Sequence, residues 1–546
     1  MFSIFGINKD SSEKKASIHK LPYVTKSVCP ECQKLLLATV YAKNNKVYLK
    51  RKCEEHGVFD ELYWGSKKDF TNALKFEVKN KARDKTEGKG EEKECPSNCG
   101  LCSNHRTTTA LANIVVTNRC DLSCWYCFFY AKKDDPIYEP SLRQIDKMLL
   151  NLKKQQPLTA NAVQFTGGEP TLRKDIVKII ALAKKRGFEH IQLNTHGINL
   201  ALKKGFAKKL AKAGATILYL SFDGVTFKTN PKNHFEIPRI LDECRKAGLG
   251  IVLVPTLIKG VNDHELGAMI NFALKNIDVV RGINFQPVSF VGRMPKSLRD
   301  KQRITIPDAL GLIEKQTKKV LMKKDFFSVP SISPVVDYLS ESTDLKLFAL
   351  QTHFACGTAS YLFMVDNKPV ALPHFFKVEE FFKLLEQKTL RIRKAPKLLK
   401  HQVSFLELLK LFIELPQFID VSKAPKDINF ISVLIGFFFF SNYSTLLEFH
   451  KKALFVGMMH FMDLYNYDQE RVQSCQIHYL VPDGRIIPFC SFNVFPKNYR
   501  DKIQAEFSIP WKEWRKTHPK DDPMKKYMRN ANELMSEEIY KTTYAP

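Results

Sequence analysis

Three cysteines share one short segment: Cys120, Cys124 and Cys127, with three and then two residues between them. Three thiolates at this spacing can hold three irons of a 4Fe–4S cluster and leave the fourth iron open for a ligand. A second triplet, Cys95, Cys99 and Cys102, repeats the spacing. Cys29-x2-Cys32 and Cys53-x2-His56 have knuckle spacing on both sides, which suits a tetrahedral mononuclear ion, either zinc or a rubredoxin-like iron. Cys356, Cys475 and Cys490 are far apart in sequence, each in a turn-like context, and are read as ligands of a further cluster. Cys244 stands alone in an amphipathic segment and reads as a small core residue. Six cysteines are then left for two auxiliary clusters, where all-thiolate ligation would take eight. At least one auxiliary cluster is therefore expected to use another ligand or to keep an open position. His105, three residues past Cys102, is either such a ligand or a surface-loop histidine.

Context separates the two identical triplets. From Asn113 onward short apolar strands alternate with amphipathic helices. Strands are expected at Asn113–Thr117, Ala162–Thr166, His190–Thr195, Ile217–Phe222, Gly250–Pro255 and Gly282–Gln286. Six β/α units in a row predict an α/β fold with a parallel sheet, a partial (β/α)6 barrel with outer helices. In such barrels chemistry sits at the C-terminal strand ends. Cys120 follows the first strand, and no strand precedes Cys95. Gly167-Gly168-Glu169-Pro170 follows the second strand, Asn194 and Thr195 end the third, and Ser221 and Asp223 end the fourth. The two glycines would let backbone approach a ligand closely.

These residues resemble the radical S-adenosylmethionine (radical SAM) family, whose motif includes an aromatic, here Tyr126, before the third cysteine. The resemblance implies that the open iron chelates S-adenosylmethionine, whose reductive cleavage gives a 5′-deoxyadenosyl radical. It also implies that Tyr126 packs on the adenine and that the Gly167–Pro170 segment binds the amino group. The polar strand ends Asn194, Thr195, Ser221 and Asp223 would hold the ribose and the methionine carboxylate. Cys95, Cys99 and Cys102 then become an auxiliary site.

The order of knuckle, auxiliary triplet, catalytic triplet and the stretch 458–493, with residues 253–263, is similar to the archaeal tetraether lipid synthase group. That likeness implies coupling of saturated isoprenoid termini of archaeal ether phospholipids, with three 4Fe–4S clusters and one mononuclear iron. Phe405–Phe412, Phe430–Phe440 and Met458–Met462 could then line a tunnel. The alternative is a peptide- or cofactor-modifying radical SAM enzyme, pterin methylation included.

The 546 residues carry 85 Lys+Arg against 57 Asp+Glu, a net charge of +28. This balance suits anionic partners, or simply solvated lysine faces such as Leu202–Lys212. No nucleic-acid-binding module is recognisable, so no nucleic acid is expected; a small electron-donor protein is. With no leader and no apolar run of spanning length, a cytoplasmic chain is expected, peripheral at the inner membrane face. The expected organisation is a metal ribbon at 1–68, a linker and cluster loop at 69–110, the barrel at 111–320 and an auxiliary-cluster domain at 321–546.

Overall fold

A computed structural model describes residues 19–77, 95–129, 135–156, 158–343, 351–426, 452–519, 522 and 525–545. Strands β1 (Tyr23–Val28), β2 (Leu35–Lys43), β3 (Lys46–Cys53) and β4 (Gly57–Trp64) form an antiparallel sheet in chain order. β3 alternates exposed and buried residues, as a strand with one covered face must. Asn44 and Asn45 both take positive φ between β2 and β3, the two-residue turn whose twist matches a hairpin.

The barrel strands are β5 (Leu111–Thr117), β6 (Ala162–Gly167), β7 (His190–Thr195), β8 (Ile217–Ser221), β9 (Gly250–Val254), the short β10 (Thr256–Leu257) and β11 (Val280–Pro287). β5 through β9 and β11 pair in parallel in that order. β5 is buried along nearly its whole length, as a parallel strand covered on both faces should be. Helices Leu142–Lys153, Ile176–Lys185, Phe206–Ala213, Ile237–Ala247 and Leu266–Lys275 cover the sheet, each turning an apolar stripe inward. All six expected units are present, within a few residues of their expected bounds. Cys244 is fully buried in its helix, as expected.

The C-terminal part joins this same sheet. β12 (Phe327–Ser328), β13 (Gly357–Val365), β14 (Lys368–Ala371), β15 (Ala453–Met459), β16 (Ile477–Leu480) and β17 (Ile486–Pro488) extend it to thirteen strands. β15 lies parallel on β11 at one edge, and β16 lies parallel on β5 at the other. Residues 460–476 therefore run from one edge of the barrel sheet to the other. This connection is buried, so its polar groups need partners. The ribbon supplies several. Thr25 and Tyr63 hydroxyls donate to Asp468 at 2.9 Å each, and Arg51 donates to the Leu464 carbonyl at 3.0 Å. Arg303 pairs with the fully buried Asp463 at 3.0 Å.

Ser333–Ser342, Val378–Lys394 and Lys400–Glu414 form a helical lobe with its own core, including Tyr338, Leu385, Leu408 and Leu411.

Candidate active site

Cys120, Cys124 and Cys127 lie on the loop that leaves β5. The Gly167–Pro170 segment shapes that loop. Gly168 N–H donates to the Thr117 carbonyl at 2.8 Å, and Glu169 N–H donates to the Arg119 carbonyl at 2.7 Å. A Cβ on Gly167 would stand 2.1 Å from the Thr117 oxygen, and one on Gly168 2.1 Å from the Arg119 oxygen. The glycines are thus required by backbone packing against the residues leading into Cys120, a reason different from the expected close approach to a ligand. Glu169 is fully buried and accepts from Thr171, from the Thr195 hydroxyl at 2.7 Å and from the His196 N–H at 2.9 Å. Pro170 opens a single 3-10 turn behind it.

His196 joins the two segments. Its Nε2 lies 2.7 Å from Asp121 Oδ1 and 3.2 Å from Glu169 Oε2. Its Nδ1 accepts from Ile198 N–H at 3.2 Å, so Nε2 carries the proton that Asp121 accepts. Cys120 Sγ lies within 4.8 Å of the Asp121 and His196 donor atoms.

Across the strand ends, Asp223 gathers three groups. Thr256 N–H donates to it at 2.8 Å, the Tyr126 hydroxyl donates to its other oxygen, and Lys232 pairs with it at 2.7 Å. The Lys232 ammonium also stands 5.2 Å from the Tyr126 ring centre. Burial would neutralise this lysine, but Asp223 holds its pKa well above the usual lysine range. Asn262 donates to the Asp223 and Thr256 carbonyls, at 2.8 Å each, and so fixes residues 253–263 against β8. Ser221 and Asn194 are half-buried at neighbouring strand ends; Asn194 makes one long contact, 3.4 Å to Thr166. The aromatic signal pointed to Tyr126. Lys232, His196 and Asn262 carry no spacing signal and were missed.

The ribbon donors converge. The donor atoms of Cys29, Cys32, Cys53 and His56 all lie within 4.8 Å of one another, with Cys32 and Cys53 sulfurs 3.8 Å apart and Cys53 Sγ 3.5 Å from His56 Nδ1. Metal–sulfur bonds of about 2.3 Å and metal–nitrogen bonds of about 2.0 Å at tetrahedral angles give about 3.8 and 3.5 Å for these spans. The residues fit a single four-coordinate ion. Hydrogen bonding from His56 lowers the Cys53 thiol to about 6, toward the thiolate a metal needs. Cys120, Cys124 and Cys127 lie close enough that their charges interact, and an all-thiol donor set suits an iron–sulfur cluster. Burial pushes Cys127 up to about 12, a cost that cluster ligation must offset.

Cys95 stands between Cys99 and Cys102 and interacts with both thiols. Tyr499 donates to the Pro96 carbonyl and receives the Cys99 N–H, while Ser491 lies 3.3 Å from the Cys99 sulfur. Cys356, Cys475 and Cys490 are brought near one another, close enough that their charges interact. Cys475 precedes β16 and Cys490 follows its hairpin partner β17; Cys356 precedes β13, and its carbonyl accepts from His460 N–H at 2.9 Å. Among the described residues Arg471 Nε, buried beside this set, has no hydrogen-bond partner, and an unpartnered guanidinium nitrogen suits an anionic group, so the residues fit a cluster. His105 is not a surface histidine: it is buried, 3.1 Å from His478 and 2.8 Å from the Cys475 carbonyl, so it faces the distant cysteine set.

One apolar cluster packs around all three cysteine sets. It includes Cys99, with Cys127, Cys475 and Cys490 at its margin. Phe129 stands 6.1 Å from Tyr479, which stacks on Phe492 at 4.2 Å and Phe489 at 5.2 Å, the residues flanking Cys490.

The radical SAM superfamily model matches residues 114–273, and a model described as the HMPTM N-terminal zinc ribbon domain matches 21–65. The 7,8-dihydro-6-hydroxymethylpterin dimethyltransferase of Methanocaldococcus jannaschii is 42% identical over 504 residues, 90% of this chain and 97% of that protein. The GTP 3′,8-cyclase of Limosilactobacillus fermentum is 37% identical over 189 residues, 32% of this chain and 54% of its own. Among solved structures, Streptococcus suis SuiB bound to S-adenosylmethionine shares 17% identity over 40% of this chain and 49% of its own, with a TM-score of 0.33.

These comparisons correct the substrate expectation. The relative matched along nearly its whole length is named for a pterin, so isoprenoid coupling on archaeal ether phospholipids is overturned, and the lipid partner with it. Two of the three expected tunnel runs pack into cores. Leu408 and Leu411 of Phe405–Phe412 bury in the helical lobe, although Phe405 is exposed; Met458 and Met462 sit in core clusters. Phe430–Phe440 lies outside the described residues. Among the described residues no helix is long and apolar enough to cross a membrane, and nothing supports the expected peripheral membrane contact.

Proposed function

This chain belongs to the radical SAM family that includes the M. jannaschii pterin dimethyltransferase, and we propose that it methylates a 6-hydroxymethyl-dihydropterin or a close pterin relative. S-adenosylmethionine and a 4Fe–4S cluster are its cofactors. The carrying observation is likeness along the whole chain, ribbon included, rather than over the barrel alone.

In this reading Cys120, Cys124 and Cys127 hold the radical cluster and leave one iron for S-adenosylmethionine. The bound pair would supply a carbon-centred radical that abstracts hydrogen from an unactivated carbon of the substrate; the methyl would come from a second S-adenosylmethionine, which leaves as S-adenosylhomocysteine, with the external reductant supplying the electron. Glu169 and Thr195 hold the Gly167–Pro170 segment rigid beside the cofactor. Ser221 and Asn194 offer hydroxyl and amide groups for ribose. Asp223, with Tyr126 and Lys232 already on it, positions the aromatic ring for the adenine. Cys95, Cys99 and Cys102, and Cys356, Cys475 and Cys490, hold auxiliary clusters, and the ribbon holds zinc or iron.

The test is anaerobic turnover of reconstituted protein with S-adenosylmethionine, a reductant and 7,8-dihydro-6-hydroxymethylpterin, followed by mass spectrometry. The expected product gains one methylene per transfer, and C124A yields neither product nor 5′-deoxyadenosine. Cleavage of S-adenosylmethionine that never alkylates any pterin offered would overturn the substrate assignment.

A further inference from the structure

Arg471 sits in the short helix Gln469–Gln473, on the connection between β15 and β16. It is 3% exposed. One guanidinium nitrogen donates to the His460 carbonyl at 2.6 Å, the His460 N–H donates in turn to the Cys356 carbonyl at 2.9 Å, and Nε has no partner among the described residues. Among the described residues it forms no ion pair with a carboxylate. A buried guanidinium with no counter-charge is strongly disfavoured. The opposing groups around it are Cys356, Cys490 and the Tyr63 hydroxyl. Neutral thiols would not offset its charge. Thiolates on an iron–sulfur cluster would, since a cubane with three thiolates is net negative in both its common states. The connection that carries Arg471 is itself held from outside by the ribbon, with Thr25 and Tyr63 on Asp468 and Arg51 on the Leu464 carbonyl, so the cation's position does not depend on a cluster.

We propose that Arg471 is the built-in counter-cation of the C-terminal iron–sulfur site, donating to the Cys356 thiolate and setting that cluster's reduction potential. This rests on the reading that Cys356, Cys475 and Cys490 hold a cluster. A fixed positive charge favours the reduced, more negative state, and hydrogen bonds to cluster sulfurs act in the same direction. Arg471 acts through the cluster and is a positioning residue.

The experiment uses the full-length reconstituted protein. First, iron and sulfide content and electron paramagnetic resonance are compared between wild type and C356A/C475A/C490A. Loss of one cluster's worth of iron and one signal assigns that signal; no loss removes the cluster reading itself. The assigned signal is then titrated against potential in wild type, R471M, R471Q and R471K. The neutral variants are expected to move its potential negative by at least a tenfold change in the oxidised-to-reduced ratio, about 59 mV for one electron. R471K is expected to recover most of the shift. Loss of only that cluster from a chain that melts like wild type also supports the proposal. An unchanged potential in a folded neutral variant overturns it. So does unfolding of both neutral variants without any dependence on iron, which marks Arg471 as a structural staple.

Discussion

His196 Nε2 lies 2.7 Å from Asp121 Oδ1, which ties the residue after the first cluster cysteine to the turn after the third barrel strand. The same imidazole reaches Glu169 of the glycine-rich segment at 3.2 Å. Three loops that belong to successive β/α units are thereby tied together beside Cys120.

His196→Ala is expected to weaken iron retention at the radical site by about 10- to 100-fold, the range seen when a group that orients metal ligands is lost. Iron per chain after desalting and the yield of 5′-deoxyadenosine both read this. Wild-type values for both would show that the tie is dispensable.

Gly168→Ala puts a methyl 2.1 Å from the Arg119 oxygen, a backbone atom with no flexible side chain to yield. The substitution should destabilise the fold by about 1–3 kcal/mol or more and displace the cluster loop. Denaturant unfolding of the metal-free chain measures the first effect. A variant as stable as wild type would mean that the loop relaxes freely.

Lys232→Met leaves Asp223 buried without its ammonium partner. Removing one member of a buried pair costs about 3–5 kcal/mol. Tyr126 should also lose its fixed position, so affinity for S-adenosylmethionine is expected to fall at least tenfold in calorimetric titration. Unchanged affinity would take Lys232 and Asp223 out of the cofactor site.

The ribbon should bind one ion per chain with metal–sulfur distances near 2.3 Å by X-ray absorption. Cys53→Ala should lose that ion and also loosen residues 460–476, which Thr25, Tyr63 and Arg51 hold. Hydrogen exchange read at 460–476 tests the coupling. Protection there that ignores ribbon metal would show that the two parts are independent.

Acid stability should depend on His234. Burial lowers its pKa to about 4, with Glu265 opposing and Arg529 assisting; Tyr540 bonds it and Tyr544 stacks on it. The unfolded chain takes up this proton near the ordinary value of about 6.5, so between there and about 4 the unfolded state binds more protons. Stability is full above that window and falls through it as the pH drops, by about 3 kcal/mol for this one group. Melting temperature against pH, in wild type and His234→Phe, should show a shallower acid limb in the variant.

The barrel was legible because its signals are local. Apolar runs of strand length alternating with amphipathic helices have one economical packing, a covered parallel sheet. The metal-ribbon knuckles, the cluster triplet and the glycine-rich segment were legible for the same reason, since ligand spacing along the chain fixes which donors can share an ion. The substrate was not legible. The order of the cysteine motifs, with residues 253–263 and 458–493, resembled a lipid-coupling family whose apolar runs could line a tunnel, but Met458, Met462, Leu408 and Leu411 are core residues. Apolar runs look alike whether they line a tunnel or fill an interior.

By itself the sequence determined that Cys120, Cys124 and Cys127 follow a barrel strand, that Gly167–Pro170 follows the next, and that Cys29, Cys32, Cys53 and His56 can close on one ion. Only the tertiary structure decided that β15 and β16 cap opposite edges of the same sheet, and that their connection brings Arg471 among Cys356, Cys475 and Cys490. It alone placed His105 beside Cys475 and His196 between Asp121 and Glu169. The reason is range: ligand spacing and periodicity act over a few residues, whereas these contacts join positions tens to hundreds of residues apart, and only burial of a common core brings them together.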